Sequence, residues 1–178
     1  ANNDCGNSIA ISKLDGTCVS APDIGGATED IAPGACTAGA NLNAWFSFVA
    51  QGVSAQISII SGIGPEEITI VDFGVTPCSL ASASEVDCSA GAALEVDNQL
   101  TIGHTYYVMV AFSNNGSGTY QICINNPIPA PNDACTNAIP ISNLDNNCIQ
   151  FNNNFPSTDV LIPGCFTGST YNLWFSFV

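Results

Sequence analysis

The chain has 178 residues, 46% of them hydrophobic, which suffices to bury a core and excludes intrinsic disorder. One basic residue, Lys13, stands against 15 acidic ones, for a formal net charge of -14. That balance excludes nucleic acid, whose phosphates need clustered Lys or Arg, and disfavours anionic lipid, while no apolar run reaches the ~18 residues that argue for a membrane-crossing helix.

Taken in chain order, the readable elements are strands. Gly and Pro break every long window, and no stretch holds a 3.6-residue period. "LNAWFSFV" (42–49) is an apolar strand, and "AQISIIS" (55–61) alternates around Ile57 and Ile59. "EITIVDF" (67–73) places Ile68 and Ile70 on one face, with Val71 and Phe73 on the other. "TYYVMVAF" (105–112) aligns Tyr106, Val108, Val110 and Phe112, and "GTYQICI" (118–124) aligns Tyr120, Ile122 and Ile124. "NNGSG" (114–118) has the chemistry of a hairpin loop. Short strands with polar turns predict an all-β fold, an antiparallel β-sandwich of jelly-roll or immunoglobulin-like type.

Residues 131–178 can be laid on residues 2–49. Cys5 falls on Cys135, Ile9 on Ile139 and Cys18 on Cys148; after a one-residue deletion Cys36 falls on Cys165 and Trp45–Val49 on Trp174–Val178. The period suits whole domains in tandem. "NNPIPAP" (125–131) separates the copies, and closely spaced prolines favour a stiff extended spacer. The division expected is a complete repeat at 1–126, a Pro-rich linker at 127–131, and the N-terminal part of a second copy at 132–178. The apolar strand ending at Val178 is then completed by further chain, or by strands of a neighbouring subunit through donor-strand complementation. The latter predicts head-to-tail self-association into filaments.

Nine cysteines include no CxxC pair, and the single histidine, His104, supplies no zinc-type spacing. The cysteines therefore read as disulfides in an oxidising, extracellular or cell-surface compartment. The first copy holds Cys5, Cys18, Cys36, Cys78, Cys88 and Cys123; the second holds Cys135, Cys148 and Cys165. Strand parity turns Cys123 outward, toward an N-terminal segment crossing the sheet. The expected pairs are Cys78–Cys88, Cys5–Cys18 and Cys36–Cys123.

The order "NDxC", "PGAC", "AWFSFV", "ITIVDF…PCSL", "LTIGHTYYVMV" and "GTYQICI" resembles the β-sandwich repeats of large secreted and cell-surface proteins of Bacteroidota, distantly similar to pre-peptidase C-terminal domains. Asn3-Asp4-Cys5, Trp45-Phe46-Ser47-Phe48 and Gly103-His104-Thr105-Tyr106-Tyr107 carry the most specific part. The resemblance implies an eight- or nine-stranded sandwich used as a spacer, adhesion or assembly module. It supplies no catalytic residues, and such proteins often leave by the type IX secretion route.

Candidate chemistry is sparse. His104 has no second histidine and no assignable nucleophile, so general-base catalysis is not expected. Glu66, Glu67 and Asp72 are candidate Ca²⁺ ligands, as are Glu85, Asp87, Glu95 and Asp97, although no DxDxDG loop is present. Solvated loop charge is the preferred reading of them. Trp45, Tyr106 and Tyr107 could stack on a sugar, but alternation favours the core for most aromatic residues. Asn115 opens a glycosylation sequon. The expectation is a non-enzymatic structural or adhesive surface protein, a filament component. The alternative is a glycan- or protein-binding module of a secreted enzyme.

Overall fold

The computed structural model describes residues 2–28, 36, 42–61, 67–97, 99–112, 118–142, 148, 150 and 173–177. In chain order the strands of the first part are β1 (Ile9–Ala10), β2 (Asp15–Ala21), β3 (Leu42–Val49), β4 (Ala55–Ser61), β5 (Glu67–Asp72), β6 (Ser84–Ala90), β7 (Ala93–Val96), β8 (Thr105–Phe112) and β9 (Tyr120–Asn125). They form two sheets, one of order β1-β3-β8-β5-β6 and one of order β2-β9-β4-β7. All pairings among them are antiparallel except β1 with β3, which is parallel. The fold is an all-β sandwich, as the alternation predicts.

Period-two patterning decides which side chains meet. Leu42, Ala44, Phe46 and Phe48 from β3 face Ile57 and Ile59 from β4 and Tyr120, Ile122 and Ile124 from β9, all in one buried cluster. Ile68, Ile70, Tyr106, Val108, Val110 and Phe112 complete it. Burying a large apolar side chain stabilises by roughly 1.5–3 kcal/mol, so this layer is the main favourable contribution. Phe112 and Tyr120 meet edge-on at 5.3 Å between ring centroids, closing the core between the sheets.

Two expectations fail here. The "NNGSG" stretch does not join a hairpin: β8 pairs with β3 and β5, whereas β9 pairs with β2 and β4 in the other sheet. Turn residues signal a reversal of the chain, not which strand it then pairs with. The disulfides also differ from the expected set, being Cys5–Cys78, Cys18–Cys123 and Cys36–Cys88. Cys78, in the turn after β5, is bonded to Cys5, and Cys88, four residues along β6, to Cys36, so nearness in sequence does not pair the two. Cys123 does face outward, but its partner is Cys18, directly opposite in the neighbouring strand, and this leaves Cys5 and Cys36 to the other sheet.

Further along, β10 (Ile139–Pro140) pairs in parallel with β11 (Phe175–Ser176), Ile139 opposite Phe175. The β1–β3 pair has the same register, Ile9 opposite Phe46 and Ala10 opposite Ser47. A single 3-10 turn precedes each, Cys5–Asn7 and Cys135–Asn137. Ile11 N–H donates to Ser47 O at 2.8 Å, and Ile141 N–H to Ser176 O at 2.8 Å.

Candidate functional site

Sheet faces that point away from a sandwich core are ordinarily polar. In the five-stranded sheet the outward residues Trp45, Val71, Phe73, Met109 and Ala111 are buried instead, as a second apolar cluster. Cys5, 1% exposed, packs in it, and its bond to Cys78 ties the first turn of the chain to the segment following β5. Cys78 has φ 60, a left-handed conformation that a non-glycine residue adopts at a cost of roughly 1–2 kcal/mol. Trp45 lies 6.1 Å from Phe73, and Phe73 5.1 Å from Tyr107, between ring centroids. The Trp45 Nε1–H is buried with no acceptor among the described residues.

Asn2 fastens this cover. Its backbone O accepts from Trp45 N–H at 2.7 Å, and its Nδ2 donates to Trp45 O at 2.9 Å. One residue thereby extends the sheet edge past β1 with both main chain and side chain. Asn132 does the same to Trp174, at 2.9 Å through its O and 3.0 Å through its Nδ2. The residue equivalent in both places is the asparagine three before the cysteine, Asn2 before Cys5 and Asn132 before Cys135.

The other end of the first unit is closed by Asn126, fully buried. Its Oδ1 accepts from Gln51 N–H (2.6 Å) and Gly52 N–H (3.3 Å), and its Nδ2 donates to Gly52 O (3.0 Å) and Ser54 O (2.7 Å). Gly52 packs so closely on the next residue that a Cβ there would be driven into the Pro127 carbonyl.

The acidic candidates do not converge. Glu67 and Asp72 lie at opposite ends of β5, and Glu67 is buried, accepting from Thr69 Oγ1 at 2.7 Å. Glu66 and Asn115 lie outside the described residues, as does Cys165. Asp87 accepts from Cys88 N–H, Glu95 from Gln56 and Asp97 from Ser54. No group of three or more His, Cys, Asp or Glu among the described residues is placed to hold a metal ion. Asp23 instead bridges two loops, accepting from Gly25 and Gly118 N–H at 2.8 Å each; those bonds hold its carboxyl below the usual range.

His104 Nδ1 lies 3.5 Å from Asp72 Oδ2, and the ring stacks against Tyr106. Tyr106 spends its hydroxyl as acceptor for Thr101 N–H at 2.8 Å. No hydroxyl or thiol of the described residues is bonded to the imidazole. A cleft of about 450 Å³ beside the clasp is lined, among the described residues, by Asn2, Asn7, Ser8, Ile9 and Pro22, none of them ionisable.

No family model matches the chain, and no curated protein does. Among solved structures, one neighbour is the pre-peptidase C-terminal domain of a collagenase from Bacillus anthracis. It is 17% identical with a TM-score of 0.39, over 66% of this chain and 94% of that one.

The chemistry that these residues supply is attachment. Both ends of the first unit are fastened by buried asparagines, and the N-terminal segment by disulfides. Asn2 was legible only through the alignment of Cys5 with Cys135; Asn126 sits at the linker boundary with no local signal.

Proposed function

We propose that the chain is a non-catalytic, extracellular structural or adhesive protein built from β-sandwich modules in tandem, of the kind repeated in large surface proteins of Bacteroidota. The observation that carries this is the recurrence of the Asn2–Trp45 clasp at Asn132–Trp174, with the same 3-10 turn and the same parallel register. A sequence repeat that also reproduces its hydrogen bonds supports the reading of a repeated folding unit. Three disulfides favour an oxidising location. The Pro-rich stretch at 127–131 suits a stiff spacer between modules, and arrays of them suit the shaft of a surface filament, assembled head to tail. The module works without a resident cofactor; addition of a chelator should leave its melting temperature unchanged.

Electron microscopy of the native material tests the reading. Regularly spaced modules in rows or fibres are expected. Isolated particles would overturn the filament, and turnover of any substrate by the purified chain would overturn the non-catalytic reading.

A further inference from the structure

Tension along a chain travels by the shortest covalent path, and disulfides shorten that path. The first unit is entered at Asn2 and left at Asn126, whose N–H donates to Leu14 O at 2.9 Å. Cys18 and Cys123, 105 residues apart in sequence, are bonded to each other. Everything between them, from β3 to β8 and including the Cys36–Cys88 bond, is a side loop that carries no end-to-end load. The path keeps only residues 2–18 and 123–126, about 20 residues with a taut length of roughly 70 Å. Without disulfides, residues 2–126 would pull out to roughly 430 Å.

We propose that the module is a tension-bearing link that cannot lengthen appreciably even when its sandwich is pulled apart. Cys18–Cys123 is the bond that transmits the load. Cys5–Cys78 is a second catch: with Cys18–Cys123 open, the path runs through residues 2–5 and 78–126, about 53 residues or roughly 180 Å. Cys36–Cys88 shortens neither path and serves the fold alone. The residues left on the load path are themselves fastened, Asn2 to Trp45, β1 to β3, and Asn126 to Gln51 and Gly52. Use of such a link as a tether rests on the tandem-module reading above; the limit on its length follows from the bonding pattern.

Single-molecule pulling of the full chain tests this, with one handle at the N-terminus and the other on an azide-bearing residue replacing Ile128, which is 71% exposed. The oxidised protein is expected to release no more than about 70 Å, and the same molecules after dithiothreitol several hundred ångström. Cys18→Ala with Cys123→Ala should release up to about 180 Å, and Cys36→Ala with Cys88→Ala no more than the parent. Release of several hundred ångström from the oxidised parent overturns the proposal, as does no difference between the parent before and after reduction. That comparison decides the matter even where an alanine pair fails to fold. Lengths as expected, from a protein whose native material forms no arrays, would keep the link and remove the tandem function.

Discussion

Cys18 in β2 and Cys123 in β9 stand directly opposite each other, and their disulfide joins two neighbouring strands that are the first and last of the four-stranded sheet in chain order. The loop it closes spans 105 residues. In the chain-entropy account, loss of such a cross-link destabilises by roughly 4–5 kcal/mol. Typical domains hold only about 5–15 kcal/mol in total. Cys18→Ala with Cys123→Ala should therefore leave the first unit marginal, seen as a large drop in urea midpoint. An unchanged midpoint would mean that the bond constrains little of the unfolded chain.

Asn126 gives a second prediction. Asn126→Ala removes four hydrogen bonds from a fully buried site, and a loss of roughly 3–5 kcal/mol is expected in thermal or urea unfolding. Gly52→Ala should cost about 1–3 kcal/mol, because the added methyl meets the Pro127 main chain rather than a movable side chain. The two positions touch, so the double variant should lose less than the sum. Additive losses would show that the loop and the linker boundary are independent.

The strands read from the sequence, β3, β4, β5, β8 and β9, are six to eight residues long with several large apolar side chains in the core, whereas β7 puts only Leu94 and Val96 there from four residues. β2 and β6 escaped notice because they are edge strands of mostly small or polar residues, Val19 and Val86 being their only large apolar side chains. β1 is two residues long, too short for any period. Trp45 has outward parity and yet is fully buried, since the segment that covers it comes from the chain's start and no local pattern announces it. The disulfides could not be paired from spacing because each joins strands or turns brought together only by the sheet order. The acidic residues looked clustered in sequence, but the length and pleat of β5 separate Glu67 from Asp72.

Tyr120 predicts a response to alkali. Burial pushes its phenol up to about 12, and the neighbouring Asn2 side chain opposes this only in part. Its neutral form is favoured in the fold, so the stability tied to it is intact below pH 10, the value for an unfolded tyrosine, and is lost as pH rises through about 12. The gap corresponds to roughly 3 kcal/mol. Tyr120→Phe should flatten the fall in urea midpoint between pH 10 and 12. It also removes a buried hydroxyl with no partner among the described residues, so stability at neutral pH should rise by about 1 kcal/mol. An unchanged alkaline slope would place the sensitive group elsewhere.

The clasp supplies the last prediction, and it separates Asn2 from its neighbour Asn3. If Asn2 is the residue that matters, Asn2→Ala removes the amide bond to Trp45 O and opens a small gap at a site 5% exposed. A cost of about 1–2 kcal/mol follows, with a red shift in Trp45 emission as water reaches the ring. Asn3 is half-buried and donates to Thr28 Oγ1 at 3.3 Å, away from the Trp45 main chain, so Asn3→Ala should leave Trp45 emission unshifted. Asn132→Ala should reproduce the Asn2 effect on Trp174 alone and leave the first unit's midpoint unaltered. Emission from Trp45→Phe and Trp174→Phe backgrounds reads each clasp separately. A red shift from Asn3→Ala, or none from Asn132→Ala, would mean that the two segments share a sequence pattern without sharing the fastening.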